Sequence, residues 1–153
     1  MHVAQYDSPL GPLALRSNGI ALTSLRFGAA EEQVDSAVFQ ETFRWLDAYF
    51  QGSPLPLPRL ALSGSSFRLK VWQQCVAIPY GMSCSYSELA RAAGHPGAAR
   101  AVGSALAANP LLILIPCHRV LLAGGGIGNY AAGRAVKQLL LERENIDKST
   151  IWV

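Results

Sequence analysis

The stretch SYSELARAAGHPGAARAVGSALAANP occupies residues 85–110 and predicts two short helices. Ser85 and Glu88 fit a capping box, in which each side chain accepts a hydrogen bond from the other residue's backbone amide. The first helix should end at Gly94, since glycine adopts the left-handed exit conformation without strain. A second helix should then run from about Ala98 to Ala108. Two short helices joined by a glycine-containing turn form a helix-turn-helix.

The second of these helices is built almost entirely from small residues. Val102 and Leu106 lie four positions apart and can anchor it to a core. The remaining small positions are Ala98, Ala99, Ala101, Gly103, Ser104, Ala105, Ala107 and Ala108. Small side chains allow close approach of the helix backbone, either to another helix or to the sugar-phosphate wall of DNA.

Arg100 is placed unfavourably if this helix forms. A cation in the first turn opposes the helix dipole, at a cost of about 0.3–1 kcal/mol. An external anion or base would explain its position. The alternative is a solvated arginine paired with a local carboxylate, because surface charges contribute little to stability.

The first third of the chain predicts a hairpin and a helix. Leu13 and Leu15 alternate with less apolar residues, a turn at Ser17-Asn18-Gly19 follows, and the apolar pattern resumes at Ile20. A helix should begin at about Glu31 and end before Gly52. Its core-facing residues at helical spacing are Phe39, Phe43, Leu46 and Phe50.

The segment Pro54-Leu55-Pro56-Leu57-Pro58 is stiff and extended, which indicates a boundary. Residues 1–58 would then form an N-terminal lobe with an antiparallel sheet, and residues 59–153 a mainly helical lobe with the helix-turn-helix. The predicted fold class is α+β. Beyond the boundary, Ser66 could cap a helix that carries Phe67, Val71 and Cys75 on one buried face.

The composition excludes several classes of protein. Of the 153 residues, 50% are hydrophobic and 15% are charged, which argues against disorder, and a net charge of +3 permits contact with phosphates without requiring it. Cys75, Cys84 and Cys117 are too few for a disulfide framework. No signal peptide is visible, and the apolar run 111–115 is far too short to cross a bilayer. We expect a cytoplasmic protein, or a nuclear one in a eukaryote, without membrane contact.

Cys117 is the candidate nucleophile. The run 111–115 suggests an inner strand, and Pro116 would end it, so that Cys117 lies at a strand end. A thiol reacts as the thiolate, and a base or cation lowers its pKa. His118 and Arg119 supply both, although His118 would need a bridging water if the chain is extended.

The last helix contributes a carboxylate. Glu144 follows Leu140 by four residues and Val136 by eight, which places it on an apolar stripe with Leu139. A buried carboxylate requires a partner, and a histidine that must be oriented would be suitable. Cys117 would then be the nucleophile, His118 the base and Glu144 the group that orients the base. The alternative is that Cys117 is a purely structural cysteine.

The hexapeptide Ile115-Pro116-Cys117-His118-Arg119-Val120 resembles the active-site motif of the O6-alkylguanine-DNA alkyltransferases. The resemblance covers the whole second lobe in the family's order and spacing, and Ser8-Pro9-Leu10-Gly11 is similar more loosely. The other matching segments are 67–72, Ile78-Pro79-Tyr80-Gly81, Ser85-Tyr86, 98–103, Asn109-Pro110, Gly128-Asn129-Tyr130, Lys137 and Glu144.

This resemblance implies a single-turnover, stoichiometric DNA repair enzyme, a methylated-DNA–protein-cysteine methyltransferase. Cys117 would take the alkyl group from guanine O6, or from thymine O4, as a stable thioether. His118 would remove the thiol proton through a water, oriented by Glu144. Tyr86 would help to turn the nucleotide out and protonate the guanine. Arg100 would replace the extruded base in the stack.

The same resemblance implies further contacts. The small-residue helix, with Ala99 and Ser104, would lie in the minor groove, and Asn109 would support the active-site turn. Backbone groups of Cys117, Val120 and Ala131 would contact the edge of the base. The substrate-binding residues implied are Val120, Tyr130 and Ala131.

The partner implied is double-stranded DNA containing O6-alkylguanine, bound by a monomer without an obligate protein partner or cofactor. Some family members carry zinc in the N-terminal lobe, but no cysteine precedes Cys75 and His2 is the only histidine before it. We therefore expect no metal. Ala131-Ala132 occupies a loop that varies between relatives, so the range of alkyl groups stays open.

Two other functions stay open. A damage-recognition protein of the alkyltransferase-like group would bind alkylated guanine, but such proteins lack the cysteine. A helix-turn-helix transcription regulator with a structural cysteine would bind a particular sequence, usually as a dimer in the major groove.

Overall fold

The computed structural model describes residues 1–147 and 149–152. The chain divides into two compact units. Unit 1 comprises Met1–Leu62 with Pro110–Leu112, and unit 2 comprises Ser63–Asn109 with the described residues from Ile113 onward.

Unit 1 contains a three-stranded antiparallel sheet in the order β1-β2-β3. The strands are β1 (His2–Ser8), β2 (Gly11–Ser17) and β3 (Leu22–Phe27). The predicted hairpin is confirmed as β2 and β3, and its turn is held by Asn18 Oδ1, which accepts 2.9 Å hydrogen bonds from the amides of Ile20 and Ala21. The placement of Ile20 in a strand is wrong, because it lies in this turn with 69% of its surface exposed.

Helix α1 (Val38–Phe50) covers unit 1's core with one face, where Phe39, Trp45, Leu46 and Tyr49 are buried. The predicted start at Glu31 is wrong. Val34 instead pairs with Val3 through two backbone hydrogen bonds of 2.9 and 2.8 Å, so the chain is still extended there. A residue that pairs with a strand cannot also hold helical dihedrals.

Unit 2 is mainly helical. Its elements are α2 (Ser66–Val76), β4 (Cys84–Ser85), α3 (Tyr86–Ala92), α4 (Ala99–Ala107), a 3-10 turn (Cys117–Arg119), β5 (Val120–Leu121) and α5 (Arg134–Arg143). Strands β4 and β5 pair in parallel. Ser65, not the predicted Ser66, caps α2, since its side chain accepts from the amide of Arg68. Trp72 of α2 donates from Nε1 to the Ala105 carbonyl of α4 at 2.9 Å.

The helix-turn-helix forms as predicted from α3 and α4. Ser85 Oγ accepts from the amide of Glu88 at 3.1 Å, and Glu88 Oε1 accepts from the amide of Ser85 at 2.9 Å. Gly94 leaves α3 with φ +82°. With the sheet of unit 1 and the helices of unit 2, the predicted α+β class is confirmed.

The run 111–115 is not an inner strand. Leu111 makes one isolated parallel bridge with Leu25, and Ile113 then turns the chain with φ +72°. A β-branched residue rarely adopts that conformation, so the surrounding structure must impose it. Apolarity reported the burial of this run correctly but could not distinguish a strand from a buried turn.

No helix among the described residues has the length and apolarity that crossing a bilayer requires.

Replacement of Ser85 by alanine should lower the free energy of unfolding by about 1 kcal/mol, because the capping box loses its acceptor. Urea denaturation measures the change. Ser87→Ala, an exposed position on the same helix, is the matched control. Equal stability of the two variants would contradict a capping role for Ser85.

Candidate active site

Cys117 opens the 3-10 turn and is 4% exposed. The predicted position at the end of a strand is wrong, because the cysteine precedes β5 instead of following a strand. Asn109 Nδ2 donates to Cys117 Sγ at 3.2 Å and to the Ile115 carbonyl at 2.9 Å, which fixes the turn. Burial raises the pKa of the Cys117 thiol to about 11, although the Asn109 hydrogen bond acts in the opposite direction. The thiol is therefore protonated at neutral pH and needs a base.

His118, the predicted base, follows Cys117 and is fully buried. Its Nε2 lies 2.6 Å from Glu144 Oε2. Burial lowers the pKa of the imidazole, despite the opposing effect of Glu144. Because Glu144 is ionised, the shared proton belongs to Nε2, and the lone pair of Nδ1 is available. Nδ1 is buried and has no hydrogen-bond partner in the described part of the chain.

Glu144 is the most heavily hydrogen-bonded side chain of the site. Its carboxylate accepts from His118 Nε2, from Arg119 Nε at 2.7 Å and Nη2 at 3.2 Å, and from the Gly81 amide at 3.1 Å. Burial alone would raise the pKa of this carboxyl, but the His118 and Arg119 hydrogen bonds hold it well below its ordinary value. Truncation of one partner in such a buried pair typically costs about 3–5 kcal/mol.

Arg119 plays a different part from the one predicted. The sequence suggested a cation beside the thiol, whereas the guanidinium bonds Glu144 and donates from Nη1 to the Ile78 carbonyl at 2.8 Å. It is 7% exposed. A buried carboxylate needs more than one hydrogen-bond donor. This requirement, applied to Glu144 in the sequence, could have indicated Arg119 as its second partner.

Lys137 was matched only as part of a motif, and its role was missed. It is fully buried on α5, where its Nζ donates to the carbonyls of Val120 at 2.7 Å and Asn129 at 3.1 Å. Nζ also lies 3.5 Å from Tyr86 Oη. Burial lowers the pKa of Lys137 to about 8. The buried face of α5 contains Lys137, Leu140 and Leu141, whereas Leu139, predicted on the apolar stripe, is 48% exposed.

A cavity of about 670 Å³ opens beside Cys117. Among the predicted site residues, the cavity lining includes Tyr86, Ala99, Arg100, Cys117, Tyr130 and Ala131. Ser104 and Val120 are not among the described residues that line the cavity. Ser104 is exposed on α4, and Val120 is buried in β5. Asn109, His118 and Glu144 are not among the described lining residues. Asn109 donates to the Ile115 carbonyl of the active-site turn, and His118 pairs with Glu144.

Tyr86 and Gly128 meet closely inside the cavity. A Cβ at Gly128, whose φ is +76°, would lie 2.9 Å from Tyr86 Oη, closer than Cβ atoms are normally found, so the hydroxyl would have to shift. Glycine is therefore favoured here on steric and conformational grounds. Burial raises the pKa of the Tyr86 hydroxyl, so it remains a proton donor at neutral pH.

Arg100 is exposed in the first turn of α4 and is one of the residues that line the cavity. Within residues 1–147 and 149–152, no carboxylate lies within ion-pair distance of it. The local partner that would have explained its position is therefore not found there.

The other two cysteines are in the core, as predicted for Cys75. Cys75 is fully buried and Cys84 is 5% exposed. Burial raises the pKa of both thiols, that of Cys84 to about 12, which makes them poor nucleophiles. In the described residues, no group of three His, Cys, Asp or Glu side chains could hold a metal ion.

Comparison with known proteins identifies the class. The model of the 6-O-methylguanine DNA methyltransferase DNA binding domain matches residues 66–146, and the model of the ribonuclease-like domain of 6-O-methylguanine DNA methyltransferase matches residues 1–63. A methylated-DNA–protein-cysteine methyltransferase of Mycobacterium leprae is 41% identical, over 94% of this chain and 92% of its own.

Solved structures agree with this relationship. Mycobacterium tuberculosis OGT, in complex with DNA, is 41% identical with a TM-score of 0.87 and covers 94% of this chain and 92% of its own. Schizosaccharomyces pombe Atl1, bound to DNA containing O6-carboxymethylguanine, is 28% identical with a TM-score of 0.53 and covers 60% of this chain and 99% of its own. The chain belongs to the 6-O-methylguanine DNA methyltransferase family, which confirms the resemblance found in its sequence.

The lowered pKa values of His118 and Glu144 predict a loss of stability in acid. Below about pH 6.5 the unfolded chain binds the His118 proton more readily than the folded protein, and below about pH 4.3 the same holds for Glu144. The free energy of unfolding should therefore fall with decreasing pH, already between pH 6 and 5, where His118 is the group that titrates. Urea denaturation at several pH values measures this slope.

His118→Gln should flatten the slope in that interval, because the buried imidazole is its main source. The matched control is His95→Gln, since His95 is exposed in the same unit. An unchanged slope in His118→Gln would contradict the assignment.

Proposed function

We propose that this protein repairs DNA by transferring the alkyl group of O6-alkylguanine to Cys117 in a single turnover. One observation carries the proposal. Cys117 lines the cavity, and the next residue, His118, forms a buried pair with Glu144. Neither Cys75 nor Cys84 has such a neighbour among the contacts described. Family membership supports the same chemistry.

The proton of the Cys117 thiol must leave before or during attack, because its pKa is about 11. His118 presents a free lone pair at Nδ1, and its Nε2–H is held by Glu144. A water can carry the proton from Sγ to Nδ1. The imidazolium that forms is stabilised by the ionised carboxylate, in the way a buried carboxylate supports a histidine base in other nucleophilic enzymes.

The sulfur then bonds to the alkyl carbon while the carbon–O6 bond breaks, and the electron pair passes to the guanine. Tyr86 is placed to protonate the departing guanine, since it lines the cavity and its hydroxyl stays neutral. The proton taken by His118 balances the one given by Tyr86, and exchange with solvent restores both groups. The product thioether is not cleaved, so each molecule acts once.

Contact with double-stranded DNA is assigned to α4. The target base must leave the stack to reach a cavity, and an inserted side chain offsets part of the unstacking cost. Arg100 is exposed at the rim of the cavity and can take this role. Ala99 and Ser104 are small enough to allow the helix into the minor groove, which carries little sequence information and so suits a repair protein.

The base itself would be bound by the cavity, whose volume lies in the range of pockets for small ligands. Tyr130 and Ala131 line it and can contact the guanine ring and edge. The Val120 carbonyl already accepts from Lys137, but a carbonyl has a second lone pair for the base. O4-alkylthymine presents a similar alkyl ether and is proposed as a second substrate.

We further propose that the protein acts as a cytoplasmic or nuclear monomer without an obligate protein partner. The alkyltransferase-like alternative finds support in the likeness to Atl1, but Cys117 and its base favour transfer over recognition alone. A sequence-specific regulator would need to recognise a defined site instead of a damaged base.

Intact mass spectrometry tests the proposal. Incubation with duplex containing O6-methylguanine should add one methyl group per protein molecule, at Cys117. Cys117→Ala should abolish transfer but keep affinity for the damaged duplex, and Cys75→Ala is the control that should still react. Binding of the duplex without any mass change would favour the damage-recognition alternative. A methyl group on Cys75 or Cys84, or turnover above one, would contradict the proposal.

Gly128→Ala should slow methyl transfer about tenfold or more, because the new Cβ displaces the Tyr86 hydroxyl. Affinity for DNA should change little. Single-turnover transfer to the protein measures the rate. Gly124→Ala in the same loop has open space around its Cβ and is the control. Equal rates for both variants would argue against a catalytic role for the position of Tyr86.

A further inference from the structure

Tyr130 carries a polar group that the mechanism above does not use. Its hydroxyl oxygen is buried and has no hydrogen-bond partner, although the residue as a whole is partly exposed at the cavity. A buried polar atom without a partner costs about 1–3 kcal/mol. Such an atom in a functional cavity indicates a partner that arrives from outside the protein.

A second unpartnered atom belongs to a neighbouring residue. Three buried side-chain atoms in the described residues have no partner: His2 Nδ1 in unit 1, and His118 Nδ1 and Tyr130 Oη in unit 2. The rings of His118 and Tyr130 are neighbours, with centroids 6.3 Å apart and planes at 85°. Two neighbouring rings thus each carry a buried polar atom without a protein partner, and a single water could serve both.

Cys117 is the third residue of this group. Tyr130 and Cys117 line the same cavity, and His118 follows Cys117 in the chain. A buried water usually has two to four polar partners. Sγ of Cys117, Nδ1 of His118 and Oη of Tyr130 together supply three.

We propose that the Tyr130 hydroxyl holds the water that carries the thiol proton of Cys117 to His118, which makes Tyr130 a positioning residue for alkyl transfer. This inference rests on the proposed function. The water oxygen receives the proton from Sγ and gives one to Nδ1. The Tyr130 hydroxyl donates a hydrogen bond to that oxygen and keeps its own proton throughout.

The electrostatics agree with this role. Burial raises the pKa of the Tyr130 hydroxyl well above its ordinary value, and Cys117, Cys75 and Glu144 act in the same direction. The hydroxyl therefore remains a donor when the thiolate forms. The other charged groups that act on His118 are Glu144, Arg119 and Lys137.

The test is Tyr130→Phe, which keeps the ring in the cavity and removes only the hydroxyl. The measurement is the single-turnover rate of methyl transfer from saturating O6-methylguanine duplex, from pH 6.5 to 9.5. We expect the variant to be about tenfold slower at pH 7. The ratio of wild-type to variant rate should fall towards one as pH rises, since hydroxide then removes the thiol proton without the relay. Titration of Lys137 affects both proteins and cancels in the ratio.

The controls separate this inference from the proposed function. Tyr6→Phe in unit 1 removes a hydroxyl that donates to Asp47, distant from Cys117 in sequence, and should leave the rate unchanged. A ratio near one at every pH would overturn the relay role. A rate deficit that is the same at every pH would also overturn it, because it would indicate a direct contact of the hydroxyl with the guanine. Absence of methyl transfer by the wild-type protein would instead overturn the proposed function.

Discussion

The buried carboxylate of Glu144 is the constraint on which the site depends. Among the described contacts, it accepts hydrogen bonds from His118, twice from Arg119 and once from the Gly81 amide. These donors come from the 3-10 turn and from the turn after α2, while Glu144 itself ends α5. One carboxylate thus joins three segments of unit 2. Its ionised state follows from these bonds, because burial alone would favour the neutral acid.

The state of Cys117 follows from the same arrangement. The fold does not activate this thiol electrostatically, because burial outweighs the Asn109 hydrogen bond and raises its pKa. It places a neutral histidine beside the thiol, with one nitrogen held by Glu144 and the other free. A nucleophile that is consumed in its reaction gains from remaining a thiol until the substrate is bound, since free thiolates react with other electrophiles and oxidants.

Lys137 performs a comparable structural task elsewhere in unit 2. Its ammonium group joins the carbonyls of Val120 and Asn129 and approaches Tyr86 Oη. The chain between 120 and 129 is thereby held at both ends by one side chain. Gly128 completes the arrangement, because a Cβ at this position would displace the Tyr86 hydroxyl.

The sequence by itself determined the α+β class, the helix-turn-helix, the hairpin and the pairing of His118 with Glu144, because these depend on local spacing and on the requirement that a buried charge be paired. It placed the start of α1 and the run 111–115 incorrectly, since contacts distant in sequence decide them: Val34 pairs with Val3, and Leu111 with Leu25. Only the tertiary structure revealed Arg119 and Lys137 as internal cations and Tyr130 Oη as an unpartnered group. The partners of a long polar side chain depend on which backbone carbonyls and carboxylates folding brings within about 3 Å. That information lies in no single segment of the chain.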